Sequence, residues 1–374
     1  MALSKVDLAN QVENQLPQSL VADNVNFRNI IINGDMSIAQ RGTSQSSVTT
    51  TGYYTCDRWN WIADYGTVTL SQDTDVPTGQ GFATSFKADV TTAGTEASGG
   101  YVLVRQRIEG QNLQYLKKGT ASAESLTASF WIKSTKTGTY ICELFDVDNN
   151  RQISKSYTVD TTNTWEKKTI TFAGDTTGAF GNDNGGSLFL NLYLSAGTDY
   201  TSGTLNTSWA ASVNVNRVVG QVNAQDNASN NIYFTGVQLE AGTSASDFEF
   251  LPYDVNLQRC QRYFVQYGEN IDGAAAANIG IGQWYSASEV VYNVYAPVSM
   301  RTKPTMTTPT VVNKYRFHKA GTYTDTDDAG VISDAGNQIL AIYKSGLSGG
   351  TGGQATFVVL QQGGGAKIQF SSEL

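Results

Sequence analysis

The residues of this 374-residue chain that could do chemistry are few and scattered. It has one histidine, His318, set among basic and aromatic neighbours in Lys314-Tyr-Arg-Phe-His-Lys319. One histidine cannot build a histidine metal cage, and it serves a catalytic triad only where a serine and a carboxylate converge on it. The segment Gly346-Leu-Ser-Gly-Gly350 has the letters of a Gly-x-Ser-x-Gly nucleophile elbow. That elbow needs a strand before the serine and a helix after it. More glycine follows Ser348, so no helix starts there, and His318 precedes the serine. Ser348 is therefore expected in a loop, and His318 as a surface or loop histidine.

Glycoside hydrolysis needs two carboxyl groups across one cleft, within roughly 10 Å. Glu109, Asp146, Asp148, Glu240 and Glu249 are available, but no spacing singles out a pair. No catalytic residue is assigned and no enzyme is expected. Asp146-x-Asp148-x-Asn150 opens like a calcium loop, yet Arg151 stands where glycine is needed and Tyr157 where the bidentate glutamate belongs. Asp325-x-Asp327-Asp328-x-Gly330 carries the glycine but places Ala329 and Gly336 at ligand positions. Neither is an EF-hand, and no cofactor is expected; a structural Ca²⁺ in a sandwich loop stays open as an alternative to solvated turns.

Cys56, Cys142 and Cys260 are an odd, widely spaced set without a CxxC, so buried free thiols are expected rather than a disulfide framework. Among the six Trp and 19 Tyr, those near turns are the candidates for stacking on flat sugar faces: Tyr53, Tyr54, Trp209, Trp284 and Tyr285. Core or subunit packing is the competing role for each.

Composition says what must position these groups. Only 16% of residues are charged, glycine reaches 37 and Ser/Thr are abundant, as in a turn-rich all-β protein whose strands have a wet face. The net charge of −8 argues against nucleic-acid binding, which needs a basic stripe. No apolar run is long enough for a membrane span.

Residues 1–25 read as a short helical arm with Val6, Leu8, Val12 and Leu16 as candidate anchoring residues and Pro17 interrupting the pattern. Residues 26–254 then alternate apolar and polar residues with period two, most clearly in Thr169-Ile-Thr-Phe172. Strand-like runs include 66–70, 100–108, 126–133, 138–145, 165–172, 187–194 and 231–239, separated by clusters such as Gly178-Ala-Phe-Gly-Asn-Asp-Asn-Gly-Gly186. This pattern predicts an antiparallel sandwich of jelly-roll type. Residues 255–374 read as a smaller β domain ending in strands near 355–360 and 366–370. The opening residues lack the apolar stretch of a secretory signal.

The order of the segments carries a resemblance. Asn29-Ile-Ile-Ile-Asn-Gly-Asp-Met-Ser-Ile-Ala-Gln-Arg-Gly42 is followed by Cys56-Asp-Arg-Trp59, Gln106-Arg-Ile-Glu-Gly110 and Ser129-Phe-Trp-Ile-Lys-Ser134. Thr164-Trp-Glu-Lys-Lys-Thr-Ile170, Thr235-Gly-Val-Gln-Leu-Glu-Ala-Gly242 and Phe248-Glu-Phe-Leu-Pro-Tyr253 come after. This succession resembles the carbohydrate-binding-module-like β-sandwich of tailed-phage tail-fibre and virion structural proteins. The resemblance implies a non-enzymatic fibre subunit made in the host cytoplasm and placed in the virion tail. It also implies other tail proteins and a host cell-surface glycan as partners, and a homotrimer. A head decoration, head fibre or collar protein is the structural alternative, and a polysaccharide depolymerase the alternative of another class.

Overall fold

Alternation of apolar and polar residues sets the strands, and the inward half of each fills a core. The computed structural model describes residues 27–268, 276–361 and 365–374. The expected arm, with Val6, Leu8, Val12 and Leu16, lies outside the described residues. The chain forms two units, the first ending at Leu251 and the second spanning Pro252–Leu374.

The first unit begins with β1 (Ser44–Val48), β2 (Gly52–Tyr53), β3 (Asn60–Ala63), β4 (Thr67–Asp73) and β5 (Ser85–Thr92). β6 (Tyr101–Glu109), β7 (Leu126–Ser134), β8 (Gly138–Asp146) and β9 (Arg151–Val159) follow. β10 (Glu166–Phe172), β11 (Gly186–Ala196), helix α1 (Thr198–Thr201), β12 (Ala210–Ala211) and β13 (Asn231–Ala241) complete it. They build a six-stranded sheet in the order β1-β4-β5-β13-β7-β10 and a seven-stranded sheet in the order β12-β9-β8-β11-β6-β3-β2. Every pairing among these strands is antiparallel. The two inner faces share one core. Phe86, Phe130, Phe234 and Leu239 from the first sheet meet Val104, Leu144, Leu190 and Leu192 from the second. This is the expected antiparallel jelly-roll-type sandwich, its two sheets packed face to face.

Four of the segments that carry the resemblance, 29–42, 56–59, 235–242 and 248–253, meet at one corner. Asn33 adopts a left-handed conformation (φ 59°). Its amide group donates to Ile38 O and Asp57 O at 2.9 Å each, and its Oδ1 accepts from Ile38 N at 3.0 Å. The Trp59 indole N–H donates to Asn33 O at 2.9 Å. β13 closes the corner: Ile30 N donates to Leu239 O, and Val237 N to Gly34 O, both at 2.9 Å. Register shifts between Thr235 and Gln238, where Gly236 holds a φ of 61°. A Cβ there would lie 2.5 Å from the Phe82 ring, so glycine is needed both for the bulge and for the packing. The Glu249 carboxylate accepts from Phe27 N at 2.6 Å and Asn29 N at 2.9 Å.

The second unit begins with helix α2 (Tyr253–Gln261), which follows Pro252. Its strands are β14 (Phe264–Gly268), β15 (Ala276–Trp284), β16 (Val290–Tyr295), β17 (Thr305–Thr307) and β18 (Tyr315–Lys319). β19 (Thr322–Thr326), β20 (Val331–Ala335), β21 (Ile339–Lys344), β22 (Ala355–Gln361) and β23 (Lys367–Ser371) follow. A three-stranded sheet runs β14-β23-β17, and a seven-stranded sheet runs β19-β18-β22-β15-β16-β21-β20. Tyr292, Tyr315, Phe317, Ile342, Val358 and Phe370 belong to its separate core. No helix among the described residues is long and apolar enough to cross a membrane.

Candidate functional site

The larger sheet of the second unit has one face in the core and one open. Phe317, Val358 and Tyr292 point inward, so period two turns His318 (β18), Phe357 (β22) and Tyr295 (β16) outward. Register brings them together: Phe357 pairs with Ile281 on β15, and His318 with Tyr323 on β19. A register shift between Asn278 and Gly280 lets Ile279 face the core and Ile281 face out. The result is a groove of about 990 Å³ lined by these rings, with Asn278, Asn293, Gln354 and Thr322 supplying polar edges. That volume is at the upper end of the roughly 300–1,000 Å³ found for small-ligand sites.

The rings form a platform. His318 stacks on Phe357 with centroids 3.9 Å apart and planes 14° apart, and Tyr323 lies 6.0 Å from His318. Tyr295 is 55% exposed, Tyr323 47% and Phe357 40%, so ring surface faces solvent. Burial lowers the His318 pKa, and the Arg316 charge adds to this, while Asp325 opposes it. Its imidazole is therefore neutral near pH 7 and behaves as an aromatic surface. Arg316 lies 3.4 Å over the Tyr323 ring and grips Asp325 through two hydrogen bonds of 2.8 and 3.0 Å. Those bonds hold the Asp325 pKa below the usual carboxylate range and fix the Tyr323 hairpin.

The floor is braced from below. The Trp284 indole N–H donates to His318 O at 3.0 Å, and the Thr356 hydroxyl donates to the same oxygen at 2.6 Å. Trp284, expected near the surface as a sugar-stacking ring, is instead 0% exposed within the second core. Gly350 seals it: a Cβ there would lie 1.9 Å from the indole. The strand phase that turns Trp284 inward leaves its neighbour Tyr285 68% exposed. Tyr53, Tyr54 and Trp209 belong to the first unit and are half-buried. Tyr54 and Trp209 pack against the sandwich core; the Tyr54 hydroxyl donates to Thr50 O at 2.9 Å and the Trp209 indole to Ala173 O at 2.7 Å. The Arg41 guanidinium lies 5.4 Å from the Tyr53 ring. The five aromatics named from sequence are thus divided between the two units, three in the first and two in the second.

The carboxylates named from sequence hold the fold. Glu109 accepts from Gln111 at 2.6 Å, Asp148 from Gly181 N at 2.8 Å, and Glu240 from Ser246 N at 2.9 Å. Asp146 faces Lys118, whose ammonium lies 2.5 Å from Asp146 Oδ2 and 3.1 Å from Asp175 Oδ2. The other acidic loop directs Asp325 to Arg316, Asp327 to Asn313 N at 2.8 Å, and Asp328 to Lys344 at 2.8 Å. Among the described residues no three His, Cys, Asp or Glu side chains cluster as metal ligands. Ser348 is an exposed loop residue whose carbonyl accepts from Lys319 Nζ at 2.6 Å. His318, expected on the surface or in a loop, is half-buried on a strand. All three cysteines are free and buried.

No protein-family model matches the sequence, and no curated protein matches it. Among solved structures, the chain is similar to the enzymatically active domain of bacteriophage CBA120 tailspike protein 4, at 16% identity and a TM-score of 0.32. That match covers 57% of this chain and only 22% of the tailspike chain. A CBM4 carbohydrate-binding module is similar at 13% identity and a TM-score of 0.28, over 56% of this chain and 98% of its own. The module TmCBM61, solved with β-1,4-galactotriose, is similar at 10% identity and a TM-score of 0.30, over 57% of this chain and 99% of its own.

Proposed function

We propose that this chain is a non-catalytic adhesive protein of a tailed-phage virion, a tail-fibre subunit that holds a host-surface glycan in the groove of its second unit. The observation that carries the binding role is the ring platform: His318 stacked on Phe357, with Tyr323 and Tyr295 exposed beside it and polar side chains at the edges. Apolar sugar faces stack on such rings while amide and hydroxyl groups take up the sugar hydroxyls. The virion role is supported by the ordered segments from Asn29 to Tyr253 that resemble phage tail-fibre sandwiches. The same resemblance supports a homotrimer, in which three shallow sites add through avidity.

The absence of turnover belongs to the proposal. Asp146, Glu240 and Glu249 are each bonded within the first unit, and the residues that line the groove include no carboxylate. Affinity electrophoresis of the full chain through host-surface polysaccharide tests the binding role. Retardation is expected, and it weakens in Tyr323→Ala and Phe357→Ala. Equal mobility with and without polysaccharide, or retardation untouched by both substitutions, removes the groove from the reading. Sustained release of reducing ends from the same polysaccharide would overturn the non-catalytic part.

A further inference from the structure

Register lays one row of side chains across the groove floor in the second unit. Phe357 of β22 pairs with Ile281 of β15, and Ile281 pairs in turn with Asn293 of β16. Their strand neighbours Val358, Tyr292 and Val294 fill the core, so Phe357, Ile281 and Asn293 share the open face. Neighbouring strands lie about 4.8 Å apart, which sets Asn293 two strands, roughly 10 Å, from the stacked His318 and Phe357 rings. Ile281, 60% exposed, lies between them. The row therefore runs from aromatic ring to aliphatic chain to primary amide.

The amides of the groove have hydrogen-bonding capacity to spare. Among the described residues the side chains of Asn293 and Gln354 make no hydrogen bond, and Asn278 uses only its Oδ1, which accepts from Gly280 N at 3.2 Å. The other polar groups are engaged. The Thr356 hydroxyl donates to His318 O at 2.6 Å, and the Lys319 ammonium donates to Ser348 O at 2.6 Å and to the Thr324 hydroxyl at 3.0 Å. No carboxylate lines the groove, so a protonated amino sugar finds no counter-charge there. The single ammonium already holds two oxygens. What remains open to a ligand is neutral: ring faces, an isoleucine and amides.

We infer that the groove selects N-acetylhexosamine units, an inference that rests on the glycan reading of this same groove. A primary amide offers two donors and an acceptor, the complement of an acetamido carbonyl and N–H. The sugar's C–H face lies on the His318–Phe357 platform, the acetamido methyl lies on Ile281, and the Asn293 amide takes the acetamido carbonyl and N–H. A hexose without the acetamido group leaves that amide desolvated and unpaired, which is the way a polar site rejects an analogue lacking its partner.

Calorimetric titration of the full chain with three β-1,4-linked trisaccharides tests this: tri-N-acetylchitotriose, its deacetylated counterpart and cellotriose. The acetylated sugar is expected to bind about tenfold more tightly than cellotriose, the worth of one or two net hydrogen bonds. The deacetylated sugar is expected to gain nothing over cellotriose. Asn293→Ala removes the tenfold difference. Asn293→Ser, which keeps a small polar side chain on the strand, should remove most of it and keeps the test readable if the alanine variant unfolds. Phe357→Ala weakens the acetylated and plain sugars together. Equal affinity for these two, with both weakened by Phe357→Ala, would overturn the acetamido inference and leave the groove as a glycan site. A preference that survives Asn293→Ala, or tighter binding of the deacetylated sugar, would overturn the inference in the same way. Binding of no trisaccharide, or binding untouched by Phe357→Ala, would overturn both the inference and the groove reading beneath it.

Discussion

The Lys118 ammonium lies 2.5 Å from Asp146 Oδ2, with both side chains almost wholly buried. The same nitrogen reaches Asp175 Oδ2 at 3.1 Å, Thr177 O at 2.9 Å and Gly178 O at 2.7 Å. Four oxygens thus surround one positive charge, an arrangement that a hard metal ion would also satisfy. Here the cation is part of the chain. Asp175 is further held by Arg151 at 2.7 and 2.9 Å; those bonds and Lys118 outweigh the effect of burial and keep its pKa low.

Lys118→Met leaves Asp146 and Asp175 facing each other without their ammonium. Removing one partner of a buried pair costs about 3–5 kcal/mol. The urea midpoint of the first-unit transition is expected to fall accordingly. Calcium or EDTA is expected to leave the wild-type midpoint unchanged, because the position is already filled. A chelator-sensitive wild type would show that a metal, not Lys118, holds this loop.

Asn33→Ala removes three hydrogen bonds at the corner where residues 29–42 meet Asp57 and Trp59, and leaves Ile38 N, Ile38 O and Asp57 O without the amide. It also places alanine at a φ of 59°. A loss of about 3 kcal/mol is expected from buried groups left unpaired. Denaturant unfolding checks it, and a change under 1 kcal/mol would mean that the corner tolerates the gap (about a single ordinary hydrogen bond).

His318 gives the groove an acid limit. Its folded-state pKa lies below 6.5, so the folded protein binds fewer protons than the unfolded chain as pH drops beneath that value. The stability tied to the neutral ring is fully present above pH 6.5 and is lost as pH falls through the lowered folded value. Groove binding is expected to stay level from pH 8 to about 6.5, then weaken as the stacked ring charges. His318→Phe should abolish that acid-side decline; a decline unchanged in the variant would assign it elsewhere.

The three cysteines give a direct readout of global opening. Burial pushes the Cys56 and Cys142 thiols well above their ordinary range, and the carboxylates of Asp57 and Glu143 add to this. No thiol of the native protein is expected to react with a disulfide reagent, while all three react in denaturant. A fast-reacting native thiol would reveal a local opening beside it.

The strands were legible because half-buried sheets write period two into the sequence. Thr169-Ile-Thr-Phe172 falls in β10 with Ile170 and Phe172 buried, as its alternation implies. The groove was far less legible. Alternation shows that Trp284 and Tyr285 face opposite ways but not which of them faces water; that depends on the bulge at 278–280 and on Gly350 lying over the indole. Phe357, Tyr323 and Ile281 come from three separate strands, and only cross-strand register makes them neighbours.

The clamp formed by Glu249 on the amides of Phe27 and Asn29 has a mechanical consequence. The polypeptide enters and leaves the sandwich at the same point, so the lobe between behaves like a bead hung from a thread rather than a link within it. Tension applied along the strand outside loads that knot first and spares the sheets. Such a lobe can be grafted between two flanking sequences without prising them apart.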